Sequence, residues 1–437
     1  MRAMAPALLI IDYNLSRVGD VAHLREYARR AYGLQTWLIR HHPSAHDLAM
    51  CDQVFDLDPL ALDFVEQACQ ALGQQASCIR AGLVFSDNAV ASGARLLERL
   101  GLLVDDAALA AGAFDKYQYR CSETARQAEL AGTGLMLPAY VAVRSIDDLL
   151  GFAQGQPQGF VVKPMCEGNN RGVVRVEPGT DVRSAFAEVA HFVPQGVIAE
   201  QVIPYAREYS WDGLGELAFI TEKVSASGRY PVEVAQILPA RLNALERETL
   251  SRAGGQINRL IGQRHGPFHN EIKLSDDGTR AAAVEPNRRP AGMKIWTLAR
   301  WVYGVDLYRA WVDSLMGQAL PTTLGTPRCA AATVMLGVPE DQVFTAFAQE
   351  PQVLLAALLA TASCHHLAPD ELEAHHFTWL DPKPRLIHRI ARDNNDFAAQ
   401  VCIVLRNPAA DIHAVVNTLR GQWLTALQAA PKSLKAS

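Results

Sequence analysis

The 437-residue chain is 49% hydrophobic and 20% charged, and 41 Lys and Arg against 46 Asp and Glu leave a formal charge of −5. That composition excludes a disordered or fibrous chain, and the slight acidic excess argues against nucleic acid as a partner, which would need clustered cations. At roughly 150 residues per domain, the length suggests about three lobes.

The apolar run Ala7 to Ile11 ends at Asp12, as a buried parallel strand would. A helical pattern from Val21 to Tyr32 and a second strand from Thr36 to Ile39 complete a βαβ unit. No G-x-G-x-x-G follows the first strand, so the dinucleotide fingerprint is absent. A further αβ pattern reaches Leu102, and the Ala- and Gly-rich stretch Ala107 to Ala113 marks a boundary. Short strands follow at 160–162, 173–176, 197–200, 208–214 and 217–223, the last two as a hairpin. Apolar residues from Leu245 to Ile261 recur at helical spacing, giving an amphipathic helix. Past residue 300 the pattern is helical, with Val353 to Cys364 read as a buried helix. Strands at Ile387 to Ala391 and Gln400 to Leu405 and a closing helix from Ile412 to Leu424 complete it. The fold class is therefore mixed α/β and α+β. The expected domains are an N-terminal αβ domain 1–110, a nucleotide-binding region 111–300 in subdomains 111–205 and 206–300, and a C-terminal α+β lobe 301–437.

Eight cysteines without a C-x-x-C pair read as reduced thiols. The N-terminal apolar run is too short for a signal peptide, and no apolar stretch is long enough to span a bilayer. A cytoplasmic protein with no membrane contact is expected.

The segment from His269 to Gly292 carries most of the chemistry. Asp276-Asp277-Gly278 is a turn signal between two extended runs, and strand alternation puts Glu285, Asn287 and Arg289 on one face. With a three-residue loop, Glu271 would lie diagonally across from Glu285, at roughly 7–8 Å between Cα atoms. Two carboxylates and an amide oxygen at that separation suit Mg²⁺, which takes a few protein oxygens and fills the rest from phosphate and water. A surface hairpin of solvated acids is the plain alternative. Lys163 ends an apolar strand and precedes Gly168-Asn169-Asn170-Arg171-Gly172, where backbone N–H groups can cover phosphate oxygens. Alone, it reads more readily as an ordinary hairpin with an exposed lysine.

Taken in order, the pieces from Asp115 to Gly292 resemble the ATP-grasp superfamily. They are most similar to its carboxylate–amine ligases and, among these, to the L-amino-acid ligases (dipeptide synthetases). The resemblance implies ATP and two Mg²⁺ as cofactors, with Mn²⁺ able to replace them, and small carboxylate and amine substrates, amino acids among them. Lys116, Lys163 and Lys223 would face phosphate, and Gly168, Asn169, Asn170 and Gly172 would belong to the loop over the γ-phosphate. Glu200 would take the adenine amino group, Val202 and Ile203 would line the base, and Glu208 would bind ribose. Glu271, Glu285 and Asn287 would ligate metal, and Arg289 would stand by the reacting carboxylate and stabilise its oxyanion. Lys163 would also act in catalysis, while Gly292 and His269 would border the acyl substrate.

The implied reaction is peptide- or amide-bond formation through an acyl phosphate, releasing ADP and phosphate. A ligase for a non-amino-acid carboxylate and a non-catalytic ATP-binding module are the other readings. Relatives are often dimers, which makes a homodimer an expectation. The pairs His365-His366 and His375-His376 are not read as a zinc site, because adjacent strand residues point to opposite faces. Cys166 is read as a bystander thiol, and Trp296 and Trp301 as packing residues.

Overall fold

The computed structural model describes residues 5–430 except 169–170, 227–229, 231, 346–349 and 382. Four strands open the fold: β1 (Ala7–Ile11), β2 (Gln35–Arg40), β3 (Gln53–Asp56) and β4 (Ile79–Val84). They pair in parallel in the order β3-β2-β1-β4. Every residue of β1 is buried, as expected of a strand covered on both faces. The carboxyl ends of β1 and β4 deliver Asp12 and Ser86-Asp87 to one rim of this sheet, and Ser86 Oγ donates to Asp12 there.

The middle of the chain builds β5 (Leu135–Met136), then β6 (Tyr140–Val143), β7 (Phe160–Pro164), β8 (Val174–Val176) and β9 (Val197–Gln201). The last four make a small antiparallel sheet in the order β6-β9-β7-β8. Next come β10 (Arg207–Leu214), β11 (Leu217–Ser225), β12 (Glu233–Leu238), β13 (Pro267–Leu274) and β14 (Ala281–Glu285). The C-terminal part adds β15 (Ala330–Leu336), β16 (Gln342–Phe344), β17 (Leu372–Trp379), β18 (Arg385–Ile387) and β19 (Ala399–Leu405). A nine-stranded sheet runs β17-β19-β15-β12-β11-β10-β13-β14-β5, so strands from beyond residue 300 continue the central sheet.

The sequence patterns translate into capped, one-sided elements. The amphipathic helix runs Ala244–Leu260, starts with a capping box at Asn243 and Glu246, and buries Leu250, Ala253 and Ile257. Trp296 is buried against Tyr308 and Trp311, as a packing residue should be. All eight cysteines are free thiols. Among the described residues no helix is long and apolar enough to cross a membrane.

Three expectations are corrected. The apolar helix, Glu350–Cys364, is not buried all round: Val353, Leu354 and Ala357 face the core, while Leu355 and Leu359 are exposed. The strand expected at 387–391 stops at Ile387, because acids take the N–H groups that a ladder would use. Asp341 accepts from the Arg389 amide, and Asp396 from the Arg392 amide. Finally, His375 and His376 do not diverge. A register break between His375 and Thr378 and a positive φ of 49° at His376 bring both rings against Trp301, with centroids at 5.0 and 5.6 Å.

Candidate active site

The metal-ligand candidates owe their alignment to one extra residue. Leu274 pairs with Ala281, Lys273 with Ala282 and Ile272 with Ala283, but Glu271 pairs with Glu285. Val284 is therefore a bulge, and residues 275–280 form a six-residue connection rather than a three-residue loop. Without the bulge Glu271 would oppose Val284, and Glu285 would point to the other face. With it, Glu271 and Glu285 are direct rather than diagonal neighbours. The His269 amide then donates to Asn287 O at 2.9 Å, carrying the new register forward. His269, Glu271, Glu285 and Asn287 share one face.

That face is rich in oxygen and short of donors. Asn287 is buried and its Oδ1 has no hydrogen-bond partner. A buried acceptor left open is uncommon and fits a ligand that brings positive charge. The carboxylates are neutralised by lysines: Lys116 Nζ lies 3.1 Å from Glu285 Oε2, and Lys223 Nζ lies 2.7 Å from Glu271 Oε1 and 2.5 Å from Glu233 Oε1. Burial would raise the Glu271 pKa, but Lys223 and His269 hold it well below the carboxylate range. These three oxygen donors suit a hard divalent cation such as Mg²⁺.

His269 is clamped from behind. Its Nδ1 lies 2.6 Å from Asp212 Oδ1 and its Nε2 3.4 Å from Glu271 Oε1. Asp212 is fully buried and also accepts from Ser210 Oγ and Thr221 Oγ1, both at 2.6 Å. Burial disfavours the imidazolium, yet Asp212 and Glu271 together push its pKa up to about 9. His269 thus acts on Glu271 in this geometry.

On the small sheet, Lys163 Nζ sits 2.6 Å from Glu200 Oε2, and Arg120 Nε 2.9 Å from Glu200 Oε1. The carboxylate expected to meet an adenine amino group is thus held by two cations. Despite burial these keep its pKa down at about 2. Burial, with Arg120 and Lys116 nearby, pulls Lys163 below the lysine range against the attraction of Glu200. Val202 and Ile203 follow β9 half-buried. Glu208 accepts from Lys273 at 3.0 Å and from Ser225 Oγ at 2.5 Å.

Lys116 starts the helix Lys116–Ala125 under an Asp115 N-cap, and its Nζ also donates to Glu167 O at 2.8 Å. This ties the start of the glycine-rich loop to Glu285. Gly172 has a φ of +72°, and a Cβ there would meet the Phe192 ring at 2.6 Å, so glycine is required. Gly168 has open space around it, and Asn169 and Asn170 lie outside the described residues. Arg289 Nε pairs with Asp87 Oδ1 at 2.5 Å, joining the hairpin to the rim of the first sheet. Gly292, also in open space, precedes Met293 and Lys294, both at positive φ.

Several residues here escaped the sequence reading. Arg120 is 1% exposed and binds Glu123, Glu200 and the Ala283 carbonyl at 2.8–2.9 Å. Its place four residues after Lys116, on the same helical face, was the available signal. Asp212 shares alternation with Glu208 and Ser210 on β10, but Glu233 and Asp87 reach the site from segments that carry no motif.

No family model matches the chain. Over 107 residues it is 38% identical to carnosine synthase 1 of Gallus gallus, and over 99 residues 32% identical to D-alanine–D-alanine ligase B of Chromobacterium violaceum. These matches take in 24% and 23% of the chain, which spans only 11% and 32% of the length of the two relatives. Among solved structures, an L-amino acid ligase from Bacillus licheniformis superposes with a TM-score of 0.71 at 17% identity, covering 96% of this chain and 98% of that one. An ADP complex of N5-carboxyaminoimidazole ribonucleotide synthetase gives 0.66 at 13% identity, covering 98% and 100%. The chain has the ATP-grasp fold that these structures share.

Proposed function

We propose, with this fold as the premise, that the chain is an ATP-dependent carboxylate–amine ligase, forming an amide or peptide bond with an L-amino acid as one substrate. The observation that carries the reading is the donor set on one face of β13 and β14: Glu271, Glu285 and an Asn287 oxygen with no partner. The similarities to carnosine synthase 1 and to the L-amino acid ligase structure favour an amino-acid substrate. Domain limits of 1–110 and 111–300 suit the same reading, with 301–437 completing the central sheet.

A carboxylate is a poor electrophile, and transfer of the γ-phosphoryl group of ATP to it would give an acyl phosphate that an amine can attack. Bound Mg²⁺ would neutralise charge developing on the phosphates. Glu271, Glu285 and Asn287 would hold it, and Lys116 and Lys223 would exchange carboxylate for phosphate as it enters. Lys163, resting on Glu200, would face phosphate from the small sheet. Arg289 would orient the acid substrate and stabilise the oxyanion as the amine adds. The segment from Gly168 to Gly172 would cover the acyl phosphate against water.

A matrix of amino acids and small acids with ATP and Mg²⁺, scored by phosphate release and product mass, tests the reading. A ligated product containing an amino acid is expected. ATP hydrolysis without any ligated product would overturn it.

A further inference from the structure

The turn that follows Arg289 is held from the first lobe. Arg17 immediately precedes the helix Val18–Tyr32 and is 8% exposed. Its guanidinium crosses to the segment between β14 and the helix Ile295–Tyr303, where Nη1 donates to Ala291 O at 2.5 Å and Nη2 to Pro290 O at 3.0 Å. One fork thus spans two successive carbonyls, a grip that suits the planar donors of arginine. Asp20 steadies it: Oδ2 lies 3.4 Å from Arg17 Nε, and Oδ1 accepts from Lys294 Nζ at 2.9 Å. The Phe85 ring covers Arg17, with its centroid 5.2 Å from the guanidinium carbon.

The turn itself is strained. Met293 and Lys294 stand in succession at φ of 44° and 59°. Non-glycine residues persist in that region only where their surroundings hold them, and they gather at functional sites. Here the holding groups are Arg17 on the two preceding carbonyls, Asp20 on Lys294, and Thr333 Oγ1, which donates to Met293 O at 2.5 Å. The Pro290 carbonyl also accepts from Arg289 Nη1, at 3.1 Å, so both of its lone pairs are used. Arg289 therefore has two anchors, Asp87 on Nε and the Pro290 carbonyl on Nη1. Among the described residues its Nη2 takes no hydrogen bond. That nitrogen is left to an incoming carboxylate oxygen, and its direction depends on a carbonyl that Arg17 fixes.

We propose that Arg17 is a positioning residue for Arg289, acting through the Pro290 carbonyl, with Asp20 as its support. It does not touch the substrate, because its three guanidinium nitrogens are committed to Pro290, Ala291 and Asp20. Without it the Pro290–Ala291 peptide turns more freely and Arg289 keeps only Asp87, so Nη2 no longer meets the acid substrate at a fixed point. The nucleotide side is untouched, since Lys163, Glu200 and Lys223, the candidates for ATP, stand on β7, β9 and β11. This assignment rests on the ligase reading.

Steady-state kinetics of ligation by the full chain test it, with the acid substrate and ATP varied in turn. Arg17→Met should lower kcat/KM for the acid on the order of 10²-fold, mainly by raising its KM, with KM for ATP unmoved. KM does not depend on the fraction of the chain that is folded, so a destabilised variant still gives a reading. Arg17→Lys keeps the charge but loses the planar fork, and it should fall between the parent and Arg17→Met. A loss of kcat alone, with both KM values at the parent level, would reduce Arg17 to a structural residue and overturn the assignment. So would an equal rise in KM for ATP, or full activity in Arg17→Lys, which would make the effect one of charge. A parent chain that forms no ligated product would remove the ligase reading and this assignment together. A parent that ligates, beside an Arg17→Met with an unchanged KM for the acid, would remove this assignment alone.

Discussion

Two clusters of buried charge frame the site, and they differ in whether their charges balance without a ligand. Around Arg120, two cations (Arg120 and Lys163) meet two acids (Glu123 and Glu200) at 2.6–2.9 Å and the charges balance, although Glu123 Oε1 has no hydrogen-bond partner. Around Glu271 and Glu285, four acids (Asp212, Glu233, Glu271 and Glu285) meet Lys116, Lys223 and His269, and Asn287 beside them keeps an oxygen with no donor. The first cluster holds the small sheet to the central one, since Arg120 also binds the Ala283 carbonyl two residues before Glu285. The second has surplus oxygen and waits for a cation. Removing Arg120 or Glu123 should therefore cost stability, and removing a member of the second cluster should cost catalysis.

The largest effect is expected in the second cluster. Glu285→Ala removes a metal oxygen, and metal stabilisation of developing charge amounts to several kcal/mol, so ADP formation should fall on the order of 10³-fold. Assays of ADP release with Mg²⁺ check this, and near-normal turnover would dissolve the distinction between the clusters. Arg120→Met comes next and should act on stability. It strands the buried Glu123 carboxylate and leaves Glu200 to Lys163 alone, for about 3–5 kcal/mol in urea unfolding. Adding Glu123→Gln to it should recover part of that loss, because an uncharged group does not suffer the same stranding. No recovery would mean that Arg120 acts through packing alone.

Both clusters were only half legible in the sequence. The acids, the amide and the lysines could be picked out because their strands are short, apolar and cut by turn residues. The bulge at Val284 could not, since nothing in Ala281-Ala282-Ala283-Val284-Glu285 marks an unpaired residue, and the diagonal spacing expected for Glu271 and Glu285 failed for that reason. Arg120 was visible only as one letter in a helix, because its partners come from β9 and β14, about 80 and 160 residues away (|i−j| of 80 and 163). The topology of the first sheet could be read from strand–helix–strand order alone, but the delivery of Asp87 to Arg289 needs the three-dimensional rim.

A smaller effect should come from His269→Gln. His269 supports Glu271 from the Asp212 side, and loss of such a supporting partner typically weakens metal affinity about 10–100-fold. The Mg²⁺ dependence of ADP formation should shift by that factor, with little change in the rate at saturating Mg²⁺. An equal loss at saturating Mg²⁺ would instead make His269 a direct participant in the chemistry.

The mildest test uses pH on the metal-free protein, and the clusters should respond in opposite directions. His269 has a folded pKa of about 9, above its ordinary 6.5. Its contribution is full below pH 6.5 and fades as pH rises through 9, so the stability gap between the parent chain and His269→Gln should narrow on the alkaline side. Glu200 has a folded pKa of about 2, below its ordinary 4.5. Its contribution is full above pH 4.5 and is lost as pH falls towards 2, so the gap to Glu200→Gln should narrow on the acid side. Unfolding by urea across the pH range, with a chelator present, measures both gaps in one series. If both close on the same side, the two clusters do not hold their charges as their contacts indicate: Glu200 would lack the two cations that keep it ionised, or His269 the carboxylates that keep it protonated.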